Sequence, residues 1–130
     1  MTIRIVRLGS PREAGEGLRI GTVRRPPRGV RKEEYASRDF YDVWFPNLAP
    51  SEGLLKEALA ARDAQAWKQF RRKFVAELKS AGPSRDLDLL AALSHGTDIA
   101  LGCYCEDESR CHRSILRELL VQRGADVKQA

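Results

Sequence analysis

The residues of this 130-residue chain best suited to chemistry are Cys103, Cys105, Cys111 and His112, a C-x-C-x5-C-H pattern. They include every cysteine of the chain and one of its two histidines. A thiol near cations and a helix N-terminus ionises easily, which makes Cys103 and Cys111 candidate nucleophiles and His112 a candidate acid/base. Thiolates and imidazole are also the ligands zinc prefers, but its paired ligands are usually separated by about two to four residues. Cys111 and His112 are adjacent, and adjacent side chains on a helix diverge by about 100°. On that argument no metal or other cofactor is expected. Buried cysteines also pack as small apolar groups, so the same pattern fits a plain core.

Two sets of arginines accompany these residues. Arg110 and Arg113 flank Cys111 and His112 at the start of an expected helix, where free N–H groups and the helix dipole favour an anion. The acidic run Glu106-Asp107-Glu108 has to turn outward for that to work. The second set lies in Arg24-Arg25-Pro26-Pro27-Arg28-Gly29-Val30-Arg31-Lys32, with four arginines and a lysine in nine residues. Its prolines and glycine make it a defined loop.

Charge points the same way. The net charge is +5, and residues 1–38 hold ten Lys/Arg against four Asp/Glu, whereas residues 39–130 hold thirteen against fourteen. A local positive field attracts phosphate. The expected partner is therefore a phosphate-bearing small molecule or nucleotide. The alternative is a nucleic-acid-binding accessory protein that uses the basic N-terminal third and the 68–73 helix face.

The elements that must position these residues follow from periodicity. Ile99 to Cys105 is an almost unbroken apolar run and reads as a strand buried on both faces, as in a parallel sheet. Behind the polar loop, Ile115, Leu116, Leu119 and Leu120 form one helical stripe, predicting a helix over 110–123 capped by Ser109. Residues 2–8 and 18–23 alternate as strands, and 39–45 is a short aromatic strand or extended segment. Ser51 caps a first helix with an apolar face of Leu54, Leu55, Ala58 and Leu59. Trp67, Phe70, Phe74, Val75 and Leu78 mark a second helix, stopped by Gly82-Pro83. Ser84 then caps a third, through Leu87, Leu90 and Leu93.

This order predicts one α/β domain, a three-layer sandwich with helices on a mostly parallel sheet. Residues 125–130 read as a loose tail. No apolar run approaches the roughly 20 residues of a membrane span. The first residues carry no signal-peptide core, so a cytoplasmic protein is expected.

Several of these pieces carry a resemblance. Arg25 with Pro27-Arg28-Gly29-Val30, Trp44, Leu48-Ala49-Pro50-Ser51, Trp67, Phe70 and Cys111-His112-Arg113-Ser114 resemble the DUF488 family, the YeaO-like proteins, in order over residues 18–120. The resemblance implies a compact α/β domain in a cytoplasmic microbial protein, and it brings no reaction with it. Where relatives carry Cys-x-Glu, this chain has Cys103-Tyr104-Cys105. The motif residues with no core role add Arg25 and Trp44 to Arg28, Arg110 and Arg113 as ligand-binding candidates. Arg28 and His112 are expected to face each other across one cleft.

Overall fold

The computed structural model describes residues 1–129; Ala130 lies outside them. Four strands, β1 (Ile3–Arg7), β2 (Leu18–Gly21), β3 (Val43–Trp44) and β4 (Ile99–Cys103), form a parallel sheet in the order β1-β4-β2-β3. Four helices accompany them: α1 (Glu52–Ala60), α2 (Ala64–Leu78), α3 (Ala81–Leu93) and α4 (His112–Gln122). β4, last in sequence, is inserted between β1 and β2 and is buried at every residue. A strand hydrogen-bonded on both edges and covered on both faces has to be apolar, which is what Ile99-Ala100-Leu101-Gly102-Cys103 supplies.

One face of the sheet packs on helices. Ile3, Ile20, Ile99 and Leu101 meet Phe70, Phe74 and Leu78 of α2, Leu87 and Leu90 of α3, and Ile115, Leu116 and Leu120 of α4. Each such side chain contributes about 1.5–3 kcal/mol by leaving water, so this layer dominates stability. The other face is covered by loops. Gly21 and Gly102 sit opposite each other in the register. A Cβ at Gly21 would collide with the Tyr41 ring, and one at Gly102 with Leu8. Close approach of loop to sheet is why both positions are glycine. The third layer of the sandwich is therefore irregular chain.

That layer holds a buried ion pair. Arg19 on β2 is fully buried, and its guanidinium donates to Glu16 Oε2 (2.9 Å) and Oε1 (2.8 Å) and to the carbonyls of Ser10 (2.8 Å) and Asp39 (2.7 Å).

Three local expectations are corrected. Gly82-Pro83 does not stop α2; α2 ends at Leu78 and both residues lie in the first turn of α3, with Ser80 rather than Ser84 as N-cap. Proline is tolerated there because first-turn N–H groups lack helical partners anyway. The last helix starts at His112, with Cys111 as N-cap; Glu108–Arg110 is a separate 3-10 turn, and Ser109 bonds Asp107 Oδ1. Of the tail expected to be loose, residues 126–128 are tied down: Ile3 donates to the Asp126 carbonyl, Lys128 donates back to Ile3 (both 2.8 Å), and Val127 bridges Ile3. No helix among the described residues is long and apolar enough to cross a membrane.

Candidate functional site

At the carboxyl ends of β2 and β4 the sheet opens into a cleft of about 590 Å3. Strand ends are where open α/β sheets gather ligands, since loops diverge there and leave room between them. The floor is Val23, Cys103, Cys105 and His112; Phe40 and Tyr104 form one wall, Pro50, Leu55 and Leu59 another, and residues 24–28 the rim. The lining is mainly apolar and aromatic, with cations at the mouth.

The rim is pinned by its own first residue. Arg24 donates to the carbonyls of Pro50 (2.9 Å), Ala49 (3.0 Å) and Pro46 (3.2 Å). The Pro46 carbonyl already accepts the Ala49 N–H at 2.9 Å, and the guanidinium fork adds a second bond there while reaching the Ala49 and Pro50 carbonyls. Tyr104 Oη donates to the Arg25 carbonyl at 2.8 Å, tying the rim to the residue beyond β4. Gly29, at φ +69°, supplies the left-handed residue that turns the chain after Arg28. Arg28 itself is exposed on the cleft, and Arg25 forms an exposed ion pair with Glu52 at 3.2 Å.

Beneath the floor lies the sulfur cluster. Cys111 is 2% exposed and does not line the cleft. Its backbone is extended (φ −124°, ψ 151°), so the helical divergence expected between residues 111 and 112 does not apply. Cys111 Sγ and His112 Nδ1 are 3.7 Å apart. The other ring nitrogen, Nε2, lies 2.6 Å from the Thr22 carbonyl and must donate to it, which leaves Nδ1 to face the sulfur. Cys103 donates to Cys105 Sγ at 3.8 Å. The reactive atoms of Cys103, Cys111 and His112 all lie within 4.8 Å of one another.

The three thiols are not equivalent. Hydrogen bonds from the Cys103 and then the Cys105 thiol hold Cys111 well below the ordinary thiol range; burial opposes them and His112 assists. Its hydrogen bonds to Cys105 and Cys111, with burial, push Cys103 up, so that thiol stays protonated. Cys105 is also raised: the bond from Cys103 lowers it, but Cys111 and burial outweigh that. Of the three sulfurs, Cys111 is the one at which the thiolate is most favoured.

Arg113 serves that sulfur rather than the cleft. It is 3% exposed; Nε donates to Cys111 Sγ (3.4 Å), Nη1 to the Val6 carbonyl and Nη2 to the Cys105 carbonyl (both 2.6 Å). Of the ligand-binding candidates, Arg25 and Arg28 line the cleft with Cys103 and His112. Arg113 turns inward because helix α4 docks on β4 with the 103–111 loop above it. Arg110, outside α4, lies with Trp67, Lys68 and Arg71 on a separate surface. Trp44 is also elsewhere: its Nε1 donates to the Val23 carbonyl at 2.8 Å, and its ring lines a hollow with Tyr35 and Tyr41. The acidic run does turn outward: Glu106 and Asp107 are exposed, and Glu108 pairs with Arg117 at 2.7 Å.

The family model described as "DUF488-N3a: Active DUF488-N3 subclade" matches residues 3–124. The chain belongs to the DUF488 family. No curated protein and no solved structure matches it. In this DUF488 chain, sequence motifs marked the rim and the helix start. They did not mark Phe40, Leu55 and Leu59 in the walls, Thr22 behind His112, or Arg24 as the pin of the rim. The available signal for Arg24 was its place at the head of the Arg-Arg-Pro-Pro loop, with the proline-bounded turn 46–50 elsewhere to supply carbonyls.

Proposed function

We propose that the cleft binds a phosphate-bearing small molecule or nucleotide, its anionic group at Arg28 and Arg25 and its apolar or aromatic body between Phe40, Tyr104, Leu55 and Leu59. One observation carries this reading: a single strand-end cleft of small-ligand size, apolar in its walls, has an exposed arginine with no internal ion-pair partner among the described residues at its mouth. A charge-assisted hydrogen bond from Arg28 is worth about 1.5–3 kcal/mol to such a ligand. His112 Nε2 is bound to the Thr22 carbonyl and Nδ1 faces Cys111 Sγ beneath the floor, so toward the cleft ligand His112 only shapes the floor.

A nucleic-acid-binding role has fewer cations to draw on. In the basic N-terminal third, Arg4, Arg12, Arg19 and Arg25 are in ion pairs, and Arg7 and Arg24 bond carbonyls. On α2, Arg71 and Lys73 pair with Glu118 and Glu57.

Calorimetric titration with nucleoside mono- and diphosphates and inorganic phosphate tests the proposal. Nucleotides should bind more tightly than phosphate, and Arg28→Ala should weaken them at least about tenfold with the fold unchanged. Binding only to duplex DNA, with a steep fall in affinity as salt rises, would replace this reading with the nucleic-acid one.

A further inference from the structure

The sulfur cluster has an arrangement that neither a plain core nor the cleft ligand requires. We infer that Cys103, Cys105, Cys111 and His112 form a zinc site beneath the floor of the cleft. Zinc with bonds of about 2.3 Å to sulfur and about 2.0–2.1 Å to nitrogen defines a tetrahedron. Its edges are about 3.8 Å between two sulfurs and about 3.6 Å between sulfur and nitrogen. The Cys103–Cys105 sulfur separation is 3.8 Å and the Cys111 Sγ to His112 Nδ1 separation is 3.7 Å. Two opposite edges of the tetrahedron are thus already set. Cys103, Cys111 and His112 are within 4.8 Å of one another. Cys105, half-buried at the cleft floor with its sulfur 3.8 Å from that of Cys103, lies outside that group and moves its side chain inward to supply the fourth ligand.

Two independent features support a metal. The first is how His112 is held. Metal-bound histidine donates its other ring N–H to a carbonyl or carboxylate, which fixes the tautomer and aims the free lone pair. His112 Nε2 on the Thr22 carbonyl, at 2.6 Å, is that arrangement, with Nδ1 toward the sulfurs. The second is charge. Three thiolates around Zn2+ leave one net negative charge, and buried Arg113, donating to Cys111 Sγ at 3.4 Å, cancels it. No carboxylate within salt-bridge distance of Arg113 does so among the described residues. The objection from adjacent ligands fails because Cys111 is the extended N-cap and only His112 is helical.

The test uses the full chain, reduced, stripped with a chelator and reloaded. Zn2+ titrated against a chromophoric chelator should fill one site per chain. Co2+ should give the intense visible bands of tetrahedral coordination with sulfur-to-cobalt charge transfer. Cys103→Ser and Cys111→Ser should abolish these bands, and Cys105→Ser should reduce the charge transfer and weaken Zn2+ at least tenfold. If a variant does not fold, the wild-type cobalt spectrum alone decides: octahedral bands, or no uptake, overturn the site. Equal Zn2+ affinity in wild type and a Cys103→Ser/Cys111→Ser double variant also overturns it.

Discussion

Arg19 and Arg113 are both removed from water, at 0% and 3% exposure, yet their charges are met differently. Arg19 lies under the loop layer against a carboxylate, Glu16, and finishes its hydrogen bonds on two carbonyls. Arg113 lies at the start of α4 against two carbonyls and the sulfur of Cys111. A buried guanidinium cannot shed its proton at any ordinary pH, so each must have an anion or bear a large desolvation cost. The carboxylate pair is self-contained and structural. The sulfur partner belongs to a cluster that reaches the cleft. One buried arginine is a staple of the fold; the other is bound to a sulfur cluster beneath the cleft.

Removing the anion from the first pair should have the largest effect. Glu16→Gln leaves Arg19 buried and uncompensated, and urea unfolding should show a loss of about 3–5 kcal/mol. Replacing both residues, Glu16→Leu with Arg19→Met, should recover much of that loss, because two apolar groups need no pairing. The pair also sets an acid limit. Burial raises Glu16, but its bonds and charge pairing with Arg19 outweigh burial and hold it below its ordinary value of 4.5. Asp42 is lowered likewise, against burial, by Arg12 and the Arg19 N–H. A folded-state pKa below the unfolded one adds stability that is fully present above the unfolded value and drains as pH falls through the folded one. Urea midpoints should therefore drop on acidification below about pH 4.5, and less steeply in Glu16→Gln.

The smallest effect expected is at a buried group with no charge. Tyr41 Oη is buried without a hydrogen-bond partner, and burial followed by the nearby Tyr35 pushes its pKa up to about 12. Removing an unsatisfied hydroxyl returns its desolvation cost, so Tyr41→Phe should be neutral or stabilising by up to about 1 kcal/mol in thermal melts. A loss larger than that would mean the hydroxyl has a partner after all.

How much of this was legible in the sequence differs between the two arginines. The central strand, the α4 stripe and the parallel α/β class followed from periodicity, because β4 and α4 are buried in the pattern their apolar residues spell. The location of the cleft followed from motifs, through Arg28 and His112. Arg113 read as an anion clamp because helix geometry gives its turn but not its direction, and inward docking of α4 decides the direction. The Glu16–Arg19 staple was missed entirely. Leu18-Arg19-Ile20 reads as alternation with a wet face, but β2 lies between β4 and β3 and its second face is covered by loops. A charge on such a strand needs a partner, and Glu16, three residues earlier between two glycines, was the available signal. A helix over 110–123 puts both Cys111 and His112 on it and keeps them apart; the helix starts two residues later, at His112, so Cys111 is the extended N-cap and the two side chains meet.

The Cys111 sulfur stands to Arg113 as the Glu16 carboxylate stands to Arg19. A double-mutant cycle on unfolding free energy, with Cys111→Ala, Arg113→Met and the double variant in chelator, isolates that pair from the carbonyl bonds Arg113 also makes. A coupling of at least about 1 kcal/mol is expected, the double variant being more stable than the two single losses would sum to. Additivity within about 0.3–0.5 kcal/mol would contradict it and leave Arg113 as a clamp on two carbonyls alone.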